Sequence, residues 1–551
     1  MNPKPKGNQI KLINNTEGIY LVDAGAGTGK TFTVARRYAK LLERGATPDD
    51  IFLATFTENA ANNMREEIIN HCDYNLADLR DAPISTFHGF CQQLLLREGF
   101  EVPEKLGITE RITGNTRTLS NQVLEAGKFS NYYDRFRDSN PEYGDFYKIV
   151  FDPVNLLGLI KSLAAKGIFP EREGWYREGE RELIGNSEKY MEKLKEINRP
   201  RQGKRGEKQA KLLDKLNGMK DKTFASKEVK TKYDIKEGKR IDPEVMREAF
   251  WEHRDDLFQF IHDLYFDYIE YALGQNYLNF SFQLMFAFVL LMEDPQLRSS
   301  NQFDYVMIDE FQDTNELQFK LSLLLSGTGN IAVVGDWKQS IFGFQHASVK
   351  NITEFKNRLT SYYEELNSDD RSVPYKPGEV NEIKLVRNYR SSQKILDFSE
   401  SSLRVRGRKK EEVELDQEVV SLEAAEEKAD TGIKSFLAEE ELEAVLSKLV
   451  ELVEGDEFRI DGEPIRYEDV AIFSRNRKFA RALDKRAREL EIPLAYEGGV
   501  EIFKTDPAII LLAWTRVLEA KNSRRGWSVI LEEAGYNIAE VEYMLEEKDY
   551  Q

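Results

Sequence analysis

The eight residues Ala24-Gly25-Ala26-Gly27-Thr28-Gly29-Lys30-Thr31 constrain this chain more than any others. They follow the apolar run Ile19–Val22 and lead into a stretch with helical spacing at Phe32, Ala35, Tyr38 and Leu41. A strand that ends in a glycine-rich turn and opens a helix makes a phosphate cradle. The glycines let backbone N–H groups close on phosphate oxygens, and the helix start adds partial positive charge. In this frame Lys30 reaches the β- and γ-phosphates and the Thr31 hydroxyl holds Mg²⁺. The usual first glycine of the pattern is replaced by Ala24. The chain is therefore expected to bind a nucleoside triphosphate on an α/β fold.

Further short apolar runs each end in a polar cluster. Ile51–Ala54 runs into Thr55-Phe56-Thr57, Tyr305–Ile308 into Asp309-Glu310, and Ile331–Val334 into Gly335-Asp336. Such runs, separated by helical patterns, read as buried parallel strands. Ligands of open α/β sheets sit beyond the carboxyl ends of the strands, so clusters scattered between residues 24 and 336 are expected around one site. Between about Glu98 and Ser300 the strand signals fade and aromatic-rich helical stretches replace them, which reads as a helical insertion. Asn367–Val380 reads as a turn-rich linker. A second α/β unit is expected after it, with strands near Ile383–Leu385 and Val470–Phe473. Residues 408–445 are rich in Glu with few aromatics and read as exposed helices or partly mobile chain.

The length of 551 residues suggests three to four domains. No apolar run is long enough to span a bilayer, and Met-Asn-Pro-Lys-Pro-Lys at the start is no secretion signal. Two cysteines, Cys72 and Cys91, cannot build a disulfide framework. These features point to a cytoplasmic protein with no membrane partner. The net charge is −18, yet Arg201–Arg240 holds fourteen Lys/Arg against six Asp/Glu. That local excess can track phosphates or simply be solvated.

Asp309-Glu310 after a strand offers one acid for Mg²⁺ and a second to polarise an attacking water. Its extension, Asp-Glu-Phe-Gln-Asp-Thr-Asn-Glu-Leu-Gln (309–318), resembles the UvrD/Rep group of superfamily 1 DNA helicases, with features of the RecB/AddA branch. The resemblance rests on ordered segments over residues 24–391: the loop at 24–31, Thr-Phe-Thr-Glu-Asn-Ala-Ala-Asn-Asn-Met (55–64), Ser-Thr-Phe-His-Gly-Phe (85–90), Ile-Asp-Glu-Phe-Gln-Asp-Thr-Asn (308–315), Val-Gly-Asp-Trp-Lys-Gln-Ser-Ile-Phe-Gly-Phe (334–344) and Asn-Tyr-Arg-Ser (388–391). A nucleotide kinase or GTPase would leave residues 55–64 and 385–391 unexplained, and no guanine-reading Asn-Lys-x-Asp is present.

The resemblance implies a RecA-like ATPase domain from 1–97 and 293–378, a helical insertion over 98–292, a partial second RecA-like domain over 379–520, and the start of another helical insertion at 521–551. It implies that Gln9, 24 − 9 = 15 residues before the loop, reads adenine. Tyr389 would stack on the base, and Arg390 and Gln339 would contact the γ-phosphate. Lys30, Asp309 and Glu310 complete the catalytic set, with Thr31 and Asp309 on the metal. Single-stranded DNA would meet Thr55, Phe56, Thr57, Phe87, His88, Phe342 and Phe344. The activity implied is ATP-driven movement on single strands and at single-strand/duplex junctions, with 3′→5′ polarity.

Departures stand beside these matches. Gln345-His346-Ala347 replaces an Arg-Gly-Ala continuation, Phe32 replaces an arginine after the loop, and Asn279-Phe280 replaces Asp-Phe. Fifth and sixth motifs of the Lys-Gly-Leu-Glu-Phe and Tyr-Val-Ala-x-Thr-Arg kinds are missing before Gln551. The expectation is an incomplete motor, either a fragment or one that another polypeptide completes. The alternative is a nucleotide- and DNA-binding module without effective unwinding.

Overall fold

The computed structural model describes residues 4–147, 153–179, 254–343, 346–403, 405–406, 411–412, 421–425, 433–455, 459–460, 462–496, 506–519, 524–534 and 536. The basic segment 201–240, Phe344 and Gln345 lie outside them. The chain divides into one unit over Met1–Thr431 and another over Gly432–Gln551.

The first unit is built on six parallel strands: β1 (Ile19–Ala24), β2 (Ile51–Thr55), β3 (Ile84–Thr86), β4 (Phe303–Ile308), β5 (Ser326–Gly335) and β6 (Val380–Leu385). Their order is β3-β2-β4-β5-β1-β6. Ile51 to Thr55 are buried without interruption, as expected for strands covered on both faces. Parallel pairing brings the carboxyl ends of β1, β2, β3, β4 and β5 to one edge. Residues 24, 55, 86, 308 and 335 thereby become neighbours at that edge.

One face is covered by Leu12 of α1 (Asn8–Asn14), by Val34, Ala35, Tyr38 and Leu41 of α2 (Lys30–Glu43), and by Ala61, Met64 and Ile68 of α3 (Glu58–Ile69). The other face merges with the helical insertion in one core. That core takes in α4 (Phe87–Glu98), α5 (Gln122–Ser139), α6 (Val154–Lys166), α7 (Arg254–Gly274) and α8 (Phe280–Glu293). Every residue of α8 from Phe282 to Met292 is buried, so this helix is hydrophobic all round and sits inside. Helix α9 (Glu316–Leu325) and helix α10 (Phe355–Leu366) close the layer.

Two expectations need correction. Ile383–Leu385 does not begin a second sheet: as part of β6 it pairs with β1, Val22 opposite Ile383 and Ala24 opposite Leu385. Ile383 and Leu385 are buried in the core that Val22 and α2 already form, and β1 has a free edge to receive them. Residues 379–431 lie in the same compact unit as the first sheet. Val470–Phe473 pairs with no described strand, and Phe473 is 95% exposed.

In the second unit α11 (Glu441–Glu454) and α12 (Arg477–Glu489) pack through Leu446, Leu483 and Ala487. The Glu-rich stretch thus ends in an amphipathic helix with a buried face. Two further helices, α13 (Asp506–Glu519) and α14 (Arg524–Glu533), pack on each other. Among the described residues no helix is long and apolar enough to cross a membrane.

Candidate nucleotide and nucleic-acid site

The loop 24–31 leaves β1 and enters α2 through two left-handed residues, Gly27 (φ +73°) and Gly29 (φ +80°). Only glycine adopts these cheaply. Thr28 Oγ1 donates to the Gly25 carbonyl at 2.8 Å. Gln9 is buried at the start of α1, and its Nε2 donates to the Thr28 carbonyl at 3.1 Å. On the other side runs the Asn388–Ser391 segment, next to the two-residue strand β7 (Arg387–Asn388). Tyr389 N donates to the Gly27 carbonyl at 2.8 Å, and Asn388 Nδ2 donates to the Ala26 carbonyl. Asn388 Oδ1 accepts from Arg390 N at 2.8 Å and Ser391 N at 2.7 Å, which folds the segment into a turn. A methyl group on Gly27 would come within 2.6 Å of Arg390 Cβ, and one on Gly25 within 2.7 Å of the Leu422 side chain. Leu422 precedes β8 (Glu423–Ala424), which pairs with β7. Phe32 is half-buried with the Arg36 guanidinium 4.8 Å above its ring. The Arg36 guanidinium thus lies against the ring that replaces the family's arginine.

Opposite the loop, Lys30 Nζ lies 2.7 Å from Glu310 Oε2. Asp309 is buried, and burial, then the Glu310 charge, push its carboxyl up to about 7 against the pull of Lys30. Glu310 has φ +51°, a costly left-handed backbone for a residue with a side chain. Gln312 connects the acids to the next strand. Its Nε2 donates to Glu310 Oε2 at 2.8 Å and its Oε1 accepts from Asp336 N at 2.9 Å. Asp336 in turn accepts from Gln339 Nε2 at 2.7 Å. A continuous line of contacts thus runs Lys30, Glu310, Gln312, Asp336, Gln339.

A divalent cation suits this end of the site, because Asp309 is a buried carboxylate whose anionic form is disfavoured. Thr31 is exposed on the first turn of α2. Among the described residues no group of three or more His, Cys, Asp or Glu could hold a metal by itself. A cation bound here would take its other ligands from phosphates and water, as Mg²⁺ does.

From the same acids a groove of about 580 Å³ runs between the sheet edge and the insertion. Thr55, Phe56, Thr57 and His88 line it, with Phe280, Glu125 and Lys161 from the insertion. Phe56 and Phe342 pack with ring centroids 4.6 Å apart. Phe87 reaches the groove only from below: it is buried against Phe52. The Thr55 hydroxyl donates to the Thr57 carbonyl, and the Thr57 hydroxyl caps α3 by accepting from Ala60 N. Burial pushes the His88 imidazole down to about 4, so it is neutral at pH 7.

Several residues of this site were not singled out from sequence for a role in it. Phe280 is 42% exposed with His88 edge-on at 5.0 Å. Its neighbour Asn279 caps α8 and donates to Glu125 Oε1 at 2.9 Å, while Glu125 Oε2 binds Lys161 at 2.8 Å. An aspartate at 279 would set a second carboxylate against Glu125, which accounts for the asparagine. Burial and the charges of Lys161 and Lys166 lower the His346 pKa. The insertion thus brings the charges of Lys161 and Lys166 to bear on His346. Only the departures at 279–280 and 345–347 signalled this in sequence.

Residues 6–360 match the profile of the UvrD/REP helicase N-terminal domain, and residues 383–546 match the UvrD-like helicase C-terminal domain. The chain is 25% identical over 512 residues to the ATP-dependent DNA helicase UvrD1 of Mycobacterium bovis, covering 91% of this chain and 50% of that protein. It is 24% identical over 531 residues to the ATP-dependent DNA helicase PcrA of Leuconostoc citreum, covering 95% and 54%. The chain spans about half the length of the curated relatives it matches. With the N-terminal profile matched over residues 6–360, more than half of the sequence, the chain belongs to the UvrD/REP helicase family.

Proposed function

We propose that this chain is the ATP-hydrolysing part of a DNA helicase of the UvrD/PcrA type, which couples ATP turnover to 3′→5′ movement along single-stranded DNA. The observation that carries this reading is the continuous wiring at one sheet edge. The loop at 24–31 is bonded to Asn388–Tyr389 on one side, and through Lys30 to the Glu310–Gln312–Asp336–Gln339 line on the other.

In this reading the loop amides and Lys30 bind the β- and γ-phosphates. Thr31 and Asp309 would hold Mg²⁺, which would neutralise phosphate charge when bound. Glu310, released from Lys30 by the incoming phosphate, orients a water and takes its proton as the water oxygen bonds to the γ-phosphorus and ADP leaves. Arg390 and Gln339 contact the transferred phosphoryl group, and Gln9, Phe32 and Tyr389 hold the base. Because Gln312 ties Glu310 to the strand that leads to Phe342, the state of the γ-phosphate is felt at the groove. Phe56, Phe342 and His88 then hold bases by stacking and neutral polar contact, which is tolerant of sequence. Cytoplasmic single strands and their junctions with duplex are the partners.

A second reading is a split-motor subunit that binds nucleotide and DNA without unwinding alone. It is favoured by Val470–Phe473, an apolar run that pairs with no described strand. Steady-state ATP hydrolysis with and without single-stranded DNA, beside Glu310→Gln, tests both. DNA-stimulated turnover lost in the variant supports the motor. ATP binding without turnover supports the split subunit.

A further inference from the structure

Helix α1 has seven residues, too few to be held by its own hydrogen bonds, yet it carries Gln9 in its first turn. Its far end is gripped by the helix that starts in the phosphate loop. The Arg37 guanidinium donates to the Leu12 and Asn15 carbonyls, and to the Thr16 carbonyl at 2.9 Å. Arg44 donates to the Asn14 carbonyl at 2.7 Å and to Thr16 Oγ1. Positions 37 and 44 are two turns apart on one face of α2. Together they cap the acceptors that a helix C-terminus leaves without partners.

Arg37 is 2% exposed, lies 4.9 Å from the Tyr20 ring centroid on β1, and makes no ion pair among the described residues. Its charge is met instead by the carbonyl dipoles at the end of α1. A buried charge with no carboxylate beside it is costly, and what this one secures is the position of α1 against β1 and α2. At the other end of α1 the Gln9 amide is fixed between Lys6 N at 3.0 Å and the Thr28 carbonyl at 3.1 Å. The short helix is therefore tied at both ends to the phosphate-loop unit.

We propose that Arg37 is a positioning residue for base recognition: it clamps α1 so that Gln9 meets the base of the nucleotide seated on loop 24–31. The base preference of the site then depends on a side chain two helical turns from the phosphates. This rests on the reading of Gln9 as the adenine contact.

The test measures dissociation constants of ATP, GTP and inorganic tripolyphosphate for the full chain and for Gln9→Ala, Arg37→Met and Arg37→Lys. Losing one directed hydrogen bond to the base weakens ATP binding roughly tenfold. Arg37→Met is expected to lose about that factor for ATP, to bring the ATP/GTP ratio near one, and to keep tripolyphosphate affinity within about twofold. Arg37→Lys keeps the cation but not the fork, and falls between. An ATP/GTP ratio unchanged in Arg37→Met, while Gln9→Ala abolishes it, overturns the proposal and leaves the Gln9 reading intact. A ratio unchanged in Gln9→Ala removes the reading itself, and the proposal with it. If Arg37→Met does not fold, Arg37→Lys decides, together with hydrogen exchange over residues 8–16. Faster exchange there with a reduced ratio supports the clamp, and an unchanged ratio overturns it.

Discussion

Lys30 and Glu310 stand 2.7 Å apart, so each neutralises the other, and on the proposed reading an incoming phosphate takes the lysine. Lys30→Ala would then remove both the phosphate contact and the acid's counter-charge. ATP hydrolysis should fall by a factor on the order of 10² or more, and full turnover in that variant would refute the site. Gln312→Leu leaves the buried Asp336 N–H without its acceptor at a cost of roughly 1–3 kcal/mol, readable by urea denaturation. His88 gives a pH signature. Its imidazole titrates near 6.5 in an unfolded chain but is pushed down to about 4 by burial in the fold. The folded state therefore resists the proton, and stability present above pH 6.5 is lost as pH falls towards 4. Melting midpoints measured from pH 7 to 4 should decline less steeply in His88→Gln than in the parent chain, and parallel curves would contradict the assignment.

Elements place these residues where spacing in sequence does not. The phosphate loop works because Gly27 tolerates both a left-handed backbone and Arg390 at its side. Gly27→Ala should push the Asn388–Arg390 segment away and weaken ATP binding at least about tenfold, since two constraints are violated together. Isothermal titration reads this directly, and retained affinity would mean that the segment is not held there. In the insertion, Asn279→Asp keeps the helix cap but turns a hydrogen bond to Glu125 into carboxylate repulsion. A loss of about 1–3 kcal/mol is expected in chemical denaturation. Asn279→Ser, which caps equally well and adds no charge, should lose less.

For the whole molecule, net charge and local chemistry point in different directions. A chain at −18 repels a polyanion at a distance, and the groove carries acids of its own with Lys161 already paired to Glu125, so what it offers a strand is its stacking surface. Single-stranded DNA should therefore bind with a modest salt dependence and a large contribution from stacking. Phe342→Ala should weaken binding by about 1–3 kcal/mol in fluorescence anisotropy. A loss confined to low salt would assign the affinity to charge instead.

The phosphate loop, the acids after β4 and the parallel strands were legible in sequence, because each depends on local order: an apolar run, a turn and a helix start. The residues that convert them into one device were not. Gln312, Leu422, Phe280 and the Asn279–Glu125–Lys161 set act through contacts between segments more than a hundred residues apart, or through a side-chain orientation that spacing does not encode. Phe87 shows the reverse: it sits in a matching motif, yet packing turns it into the core. The fate of Ile383–Leu385 was also a tertiary matter. An apolar strand can complete whichever sheet offers a free edge, and β1 offered one. Sequence by itself determined the strand–turn–helix at residues 19–43 and the α/β class, since these follow from backbone geometry near each residue. Tertiary structure alone decided which strand borders β1, which aromatic rings remain open to a ligand, and which side chain holds each charge.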